Sequence, residues 1–97
     1  MVQVIENAVC LVGLLLSFTP DADWPQGMRA RLEVQQVAAT GGLPDLVHAV
    51  PGQVVDIRLP AAVAQASSGL AAGARVRATV MLKGPGLVVA REVVREP

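Results

Sequence analysis

The sequence predicts an all-β domain, a five-stranded Greek-key barrel with a short helix between its third and fourth strands. Three observations predict it. Apolar and polar residues alternate with a period of two in several short stretches, and β-branched valine, which favours pleated sheet, is abundant. One stretch breaks that period: residues 60–69, PAAVAQASSG, open with a proline suited to a first helical turn and continue in alanines and glutamine. Finally, the 97 residues form a single domain spanning 1–97. They hold fewer strands than the roughly seven of the alternative, a β-sandwich.

The first strand is expected over 2–17, with Gly13 near its middle marking the bend that a barrel needs. Its apolar run, 8–18 (AVCLVGLLLSF), has about half the ~20 residues of a membrane-spanning helix. Glu6 and the absence of Lys or Arg before it do not suit a signal peptide. The run therefore reads as a strand buried on both faces, and a cytoplasmic location is expected. The one cysteine, Cys10, reads as a small buried hydrophobe; alone it forms no internal disulfide, which suits a reducing compartment.

A turn-rich connection, 19–27, leads to the second strand at 28–37. Met28, Ala30, Leu32 and Val34 take one face there, and Arg29, Arg31, Glu33 and Gln35 the other. The connection 38–52 is rich in Gly and Pro, and within it 46–50 is expected as a short extra strand or hairpin arm. The third strand, 53–59, puts Val55, Ile57 and Leu59 opposite Asp56 and Arg58. After the helix, Gly73 restarts the chain into the fourth strand, 74–82, with Arg75, Arg77 and Thr79 facing away from Val76, Ala78, Val80 and Leu82. The turn Lys83-Gly84-Pro85-Gly86 joins it to the fifth strand, 87–94. There Val88, Ala90, Glu92 and Val94 are assigned to one face, and Leu87, Val89, Arg91 and Val93 to the other. With both faces largely apolar, an interface is expected as well as a core.

Eight basic residues balance eight acidic ones, so no global field draws the chain to nucleic acid or to an anionic membrane. A basic surface must come from uneven placement. Arg29 and Arg31 on the second strand, Arg75 and Arg77 on the fourth, and Lys83 in the turn form the best constellation, to which Arg58 and Arg91 can add. If these faces adjoin, phosphates can track along them; otherwise they are a solvated face that keeps an apolar barrel soluble, paired weakly with acids. Trp24, between Asp23 and Pro25, either stacks a base or anchors a partner, or else folds over the barrel end. His48 reads as a loop or strand-edge residue. No nucleophile–base pair, phosphate-cradling glycine loop or metal-ligand set stands out, so neither catalysis nor a cofactor is expected.

Five strands with a helix between the third and fourth is the order of the oligonucleotide/oligosaccharide-binding (OB) barrel. Asn7-Ala8-Val9-Cys10-Leu11-Val12-Gly13-Leu14-Leu15, the Pro20-Asp21 pair, Gly27 before the second strand, Leu59-Pro60-Ala61-Ala62-Val63-Ala64, Leu70-Ala71-Ala72-Gly73-Ala74-Arg75-Val76 and the closing Val88–Val94 together resemble the bacterial single-stranded DNA-binding protein family. In size the chain is closest to a short relative, primosomal replication protein N. The resemblance implies a non-catalytic single-stranded DNA-binding protein, a homo-oligomer (dimer or tetramer) acting in DNA replication, repair or recombination. It further implies replication proteins as partners; with the 8–18 run too short to span a bilayer, no membrane association is expected. Such proteins stack bases on aromatic side chains along a basic groove. This chain offers only Phe18 and Trp24 for stacking. The competing reading is a protein-interaction module on the same barrel that has lost nucleic-acid binding. The missing aromatics and balanced charge favour it, and the paired arginines favour the first.

Overall fold

The alternating stretches form five strands in the structure, a computed structural model that describes residues 6–96. They are β1 (Val9–Pro20), β2 (Met28–Ala39), β3 (Val54–Leu59), β4 (Arg75–Gly84) and β5 (Leu87–Arg95), with helix α1 (Ala61–Ala66) between β3 and β4. The strands close into a barrel in the order β1-β2-β3-β5-β4. All pairings are antiparallel except the seam, where β3 meets β5 in parallel at Arg58↔Val89. This is the OB-like architecture that the order of elements predicts.

The inward faces of β2, β3 and β4 are those given by the period of two: Ala30, Leu32 and Val34, then Val55, Ile57 and Leu59, then Val76, Ala78 and Val80, all buried. With Val9, Leu11 and Leu15 of β1 they fill the barrel. Each fully buried Leu, Ile or Val contributes about 1.5–3 kcal/mol over an exposed one.

Two register shifts curl β1 against β2. Gln35 is skipped between Val12↔Gln36 and Gly13↔Val34, and Leu16 between Leu15↔Leu32 and Ser17↔Arg31. Between them Gly13 passes so close to β2 that a Cβ there would collide with the Glu33 carbonyl oxygen and lie 2.9 Å from its carbon. Burial of β1 on both faces holds only in part: Val9, Leu11, Val12 and Leu15 are buried, but Cys10 and Leu14 are half-buried and Leu16 is 39% exposed. The strand begins at Val9, because Asn7 ends the chain's approach with a side-chain clasp. Asn7 Nδ2 donates to the Leu82 carbonyl (3.0 Å), and its Oδ1 accepts from the Leu82 N–H (2.7 Å), extending the β1–β4 ladder by a side chain. Residues 2–5 of the expected first strand lie outside the described residues.

Other expectations need correction. In β5 the pairing passes from Val80↔Ala90 to Thr79↔Glu92, so Arg91 is an extra residue. The bulge reverses the faces beyond it: Val93 joins Val88 and Ala90 towards the core, and Val94 is 41% exposed. Strand β4 runs on through Gly84, leaving Pro85 and Gly86 as the turn, with Lys83 exposed inside the strand. Residues 46–50 form neither strand nor hairpin arm. Asp45 Oδ1 accepts from the N–H groups of Val47 and His48, both at 2.9 Å, and so takes donors that a ladder would need. His48 is exposed at φ 55°, while Ala49 drops into the core. The helix is shorter than 60–69, and buried Ser67 follows it, its hydroxyl 2.8 Å from the Val63 carbonyl and 3.3 Å from that of Val93. Among the described residues no helix is long and apolar enough to cross a membrane, and the run 8–18 is mostly strand β1.

Candidate nucleic-acid interface

Because side chains alternate across a strand, the arginines all leave the barrel outward, but the barrel divides them into two patches. The first lies on β2 and β3. Arg29 stands opposite Arg58 and Arg31 opposite Asp56 in the ladder. The second lies on β4, where Arg75 is opposite Leu14 and Arg77 opposite Val12 of β1. Strand β1 therefore runs between the pairs, putting their backbones roughly 10 Å apart across the sheet. Its outward residues there, Val12, Leu14 and Leu16, are apolar. Arg75 spans this gap by donating from Nε to Gln35 Oε1 (3.1 Å).

The patches differ in ionic company. Arg31 lies 3.4 Å from Asp56 and Arg77 3.1 Å from Glu96, with both arginines more than half exposed (58% and 53%). Such pairs are worth ~0–1 kcal/mol and exchange partners readily. Arg29 is exposed and makes no ion pair among the described residues. It lines a cleft of about 250 Å³ with Asp56 and Arg58, bounded on the far side by Pro85 and Gly86 of the β4–β5 turn and by Leu87 at the start of β5. Lys83 is exposed on β4, shortly before the same turn.

Arg58 is the best-held cation of the set. Its Nη2 donates to Asp23 Oδ2 (2.8 Å) and Asp21 Oδ1 (3.2 Å), and its Nε is 3.0 Å from Asp21 Oδ2. The Nε contact is out of line for a hydrogen bond and acts as a Coulombic contact between two buried atoms that have no other partner. The Asp21 side chain is 1% exposed and that of Arg58 18%. Removing either partner from such a pair strands a buried charge. Asp21 is also held by its own loop: its Oδ1 accepts from the Asp23 N–H (3.0 Å), and its N–H donates to the Gly27 carbonyl (3.0 Å), folding the 21–27 loop on itself. At Gly27 a Cβ would meet the Leu59 carbonyl oxygen at 2.9 Å, so this loop rests directly on β3.

Trp24 is half-buried in this loop, its ring centroid 5.0 Å from Arg58 Cζ, a cation–π contact. One of its faces is thus turned to Arg58. Phe18 is half-buried at the end of β1 and, with Met28 and Leu70, lines a separate groove of about 630 Å³ beside α1, away from the arginines.

The structure brings Arg29, Arg31, Arg58 and the Trp24 loop to one side, and places Arg75 and Arg77 on the other side of β1. Sequence reasoning missed the roles of Asp21 and Asp23 as ligands of Arg58. The Asp-x-Asp spacing in a turn was the available signal; their partner lies 37 residues from Asp21. Among the described residues no three His, Cys, Asp or Glu side chains gather as a metal site would need. No family model and no curated protein matches this chain.

Proposed function

We propose that this protein is a non-catalytic single-stranded DNA-binding barrel, working as a homo-oligomer in DNA replication, repair or recombination, and that the strand lies across the outer face of β2 and β3. The observation that carries this reading is Arg29: exposed, without an ion pair among the described residues, and set with Arg58 in a cleft between β2–β3 and the β4–β5 turn. In an OB-like barrel this face, with its flanking loops, is where an oligonucleotide fits. Phosphates pair with Arg29 and with Arg31, which gives up its exposed contact to Asp56. Trp24 on the rim adds limited stacking, and Lys83, Arg75 and Arg77 extend the basic path. With so few aromatics, phosphate contacts carry most of the affinity, which therefore falls steeply with salt. Self-association suits the apolar outer face of β1, where Leu16 is 39% exposed.

Titrating the intrinsic fluorescence of Trp24 with oligo-dT at two salt concentrations tests this. Quenching that weakens as salt rises is expected; an unchanged spectrum at high micromolar oligo-dT and low salt would sink the reading. In that event a protein-interaction module on the same barrel is favoured, by the carboxylates already on Arg31, Arg58 and Arg77 and by the exposure of Leu16, Val54 and Val94.

A further inference from the structure

We infer that Asp23 is a built-in competitor for a phosphate position on Arg58, so that this one carboxylate sets how tightly the β2–β3 face takes up an anionic strand. The inference deepens the nucleic-acid reading and rests on it.

A guanidinium has two bidentate edges, one formed by Nε and Nη2 and one by Nη1 and Nη2. Asp21 covers the first edge, with Oδ2 at 3.0 Å from Nε and Oδ1 at 3.2 Å from Nη2. Asp23 Oδ2 lies 2.8 Å from the same Nη2, the nitrogen that the second edge shares with the first. Asp21 and Asp23 also differ in cover. The Asp21 side chain is 1% exposed and is held by the loop's own backbone, whereas the Asp23 side chain is 74% exposed. Asp21 is thus a fixed counter-charge and Asp23 a removable one. Displacing Asp23 leaves Arg58 seated on Asp21 and over Trp24, with an Nη2 donor freed on a residue that lines the same cleft as Arg29 and Asp56. A phosphate there meets two arginines on adjacent strands, opposite one another in the ladder. Asp23 holds that donor with a contact that costs little to break, because it is exposed to water.

The test measures the affinity of the full chain for fluorescently labelled oligo-dT by anisotropy at low salt, in three proteins: the unsubstituted chain, Asp23→Asn and Glu92→Gln. Glu92 is an exposed acid on β5 opposite Thr79, so its loss changes net charge equally without touching Arg58. The expected result is that Asp23→Asn binds roughly three- to fivefold more tightly, the worth of one exposed ion pair, and Glu92→Gln within about twofold of the unsubstituted chain. Binding by Asp23→Asn alone also supports the inference. Equal gains in both variants, or no gain in Asp23→Asn, overturn it while leaving the nucleic-acid reading in place. No binding by any of the three removes both.

Discussion

Arg58 and Arg77 occupy equivalent outward positions on two strands, and each meets a carboxylate at about the same distance, 3.0 Å to Asp21 and 3.1 Å to Glu96. Their surroundings separate them. The first pair is 18% and 1% exposed, the second 53% and 19%. In the low-dielectric setting of the first pair the buried Asp21 carboxylate depends on Arg58, and the pair pins the 21–27 loop to β3. In the wetter setting of the second, water substitutes for either partner. The two arginine patches thus differ in kind. On β2 and β3 one arginine builds the face while its neighbours, Arg29 and Arg31, stay available. On β4 Arg75 and Arg77 lie on the surface, and the neutral clasp of Asn7 on Leu82 joins the end of that strand to the approach of β1.

The sharpest way to break this comparison is Asp21→Ala. It should cost about 3 kcal/mol, the low end for a buried pair, since it leaves largely buried Arg58 with only the exposed carboxylate of Asp23 as counter-charge. At roughly 4–8 °C of Tm per kcal/mol for a domain of this size, urea or thermal denaturation will read it easily. A loss no larger than that of Arg77→Gln would erase the distinction. Next comes Asn7→Ala, expected to cost about 1–3 kcal/mol by leaving the N–H and carbonyl of Leu82 without this partner; the same denaturation series checks it. In binding, Arg29→Glu with Arg31→Glu should weaken oligo-dT by at least about tenfold, or ~1.4 kcal/mol. Arg75→Glu with Arg77→Glu should weaken it by less than about threefold, ~0.7 kcal/mol, because those residues flank the face rather than form it. The reverse order, read by anisotropy, would move the interface to β4. The smallest effect is that of Arg77→Gln on stability, under ~0.5 kcal/mol in urea, as for an exposed pair.

Parts of this site are readable from residues alone. The alternation in 28–37 and 74–82 puts Arg29, Arg31, Arg75 and Arg77 outward, and the structure places all four on the outer surface. That they form two patches divided by β1 is a matter of strand order, to which a local period is blind. The fifth strand shows the other limit. Its alternation is weak, with apolar residues on both faces, and the extra residue Arg91 turns Val93 inward, because bulges are set by how the neighbouring strand must bend. The short strand expected over 46–50 gives way to the carboxylate of Asp45, a nearby acceptor that captures two N–H groups before any strand can.

The amino-acid pattern by itself determined the five main strands and their succession along the chain, the helix after Pro60, and the inward residues of β2, β3 and β4. These follow from propensity and from a two-residue period, both of which act over a few neighbours. Only the tertiary structure decided where β1 and β5 bulge, that Asn7 clasps Leu82 across 75 positions, and that Arg58 is pinned by Asp21 while Arg29 makes no ion pair among the described residues. Those outcomes depend on which groups the closed barrel brings within hydrogen-bonding distance and on how much water it leaves around them. Neither the contact nor the water is written in the spacing of residues along the chain.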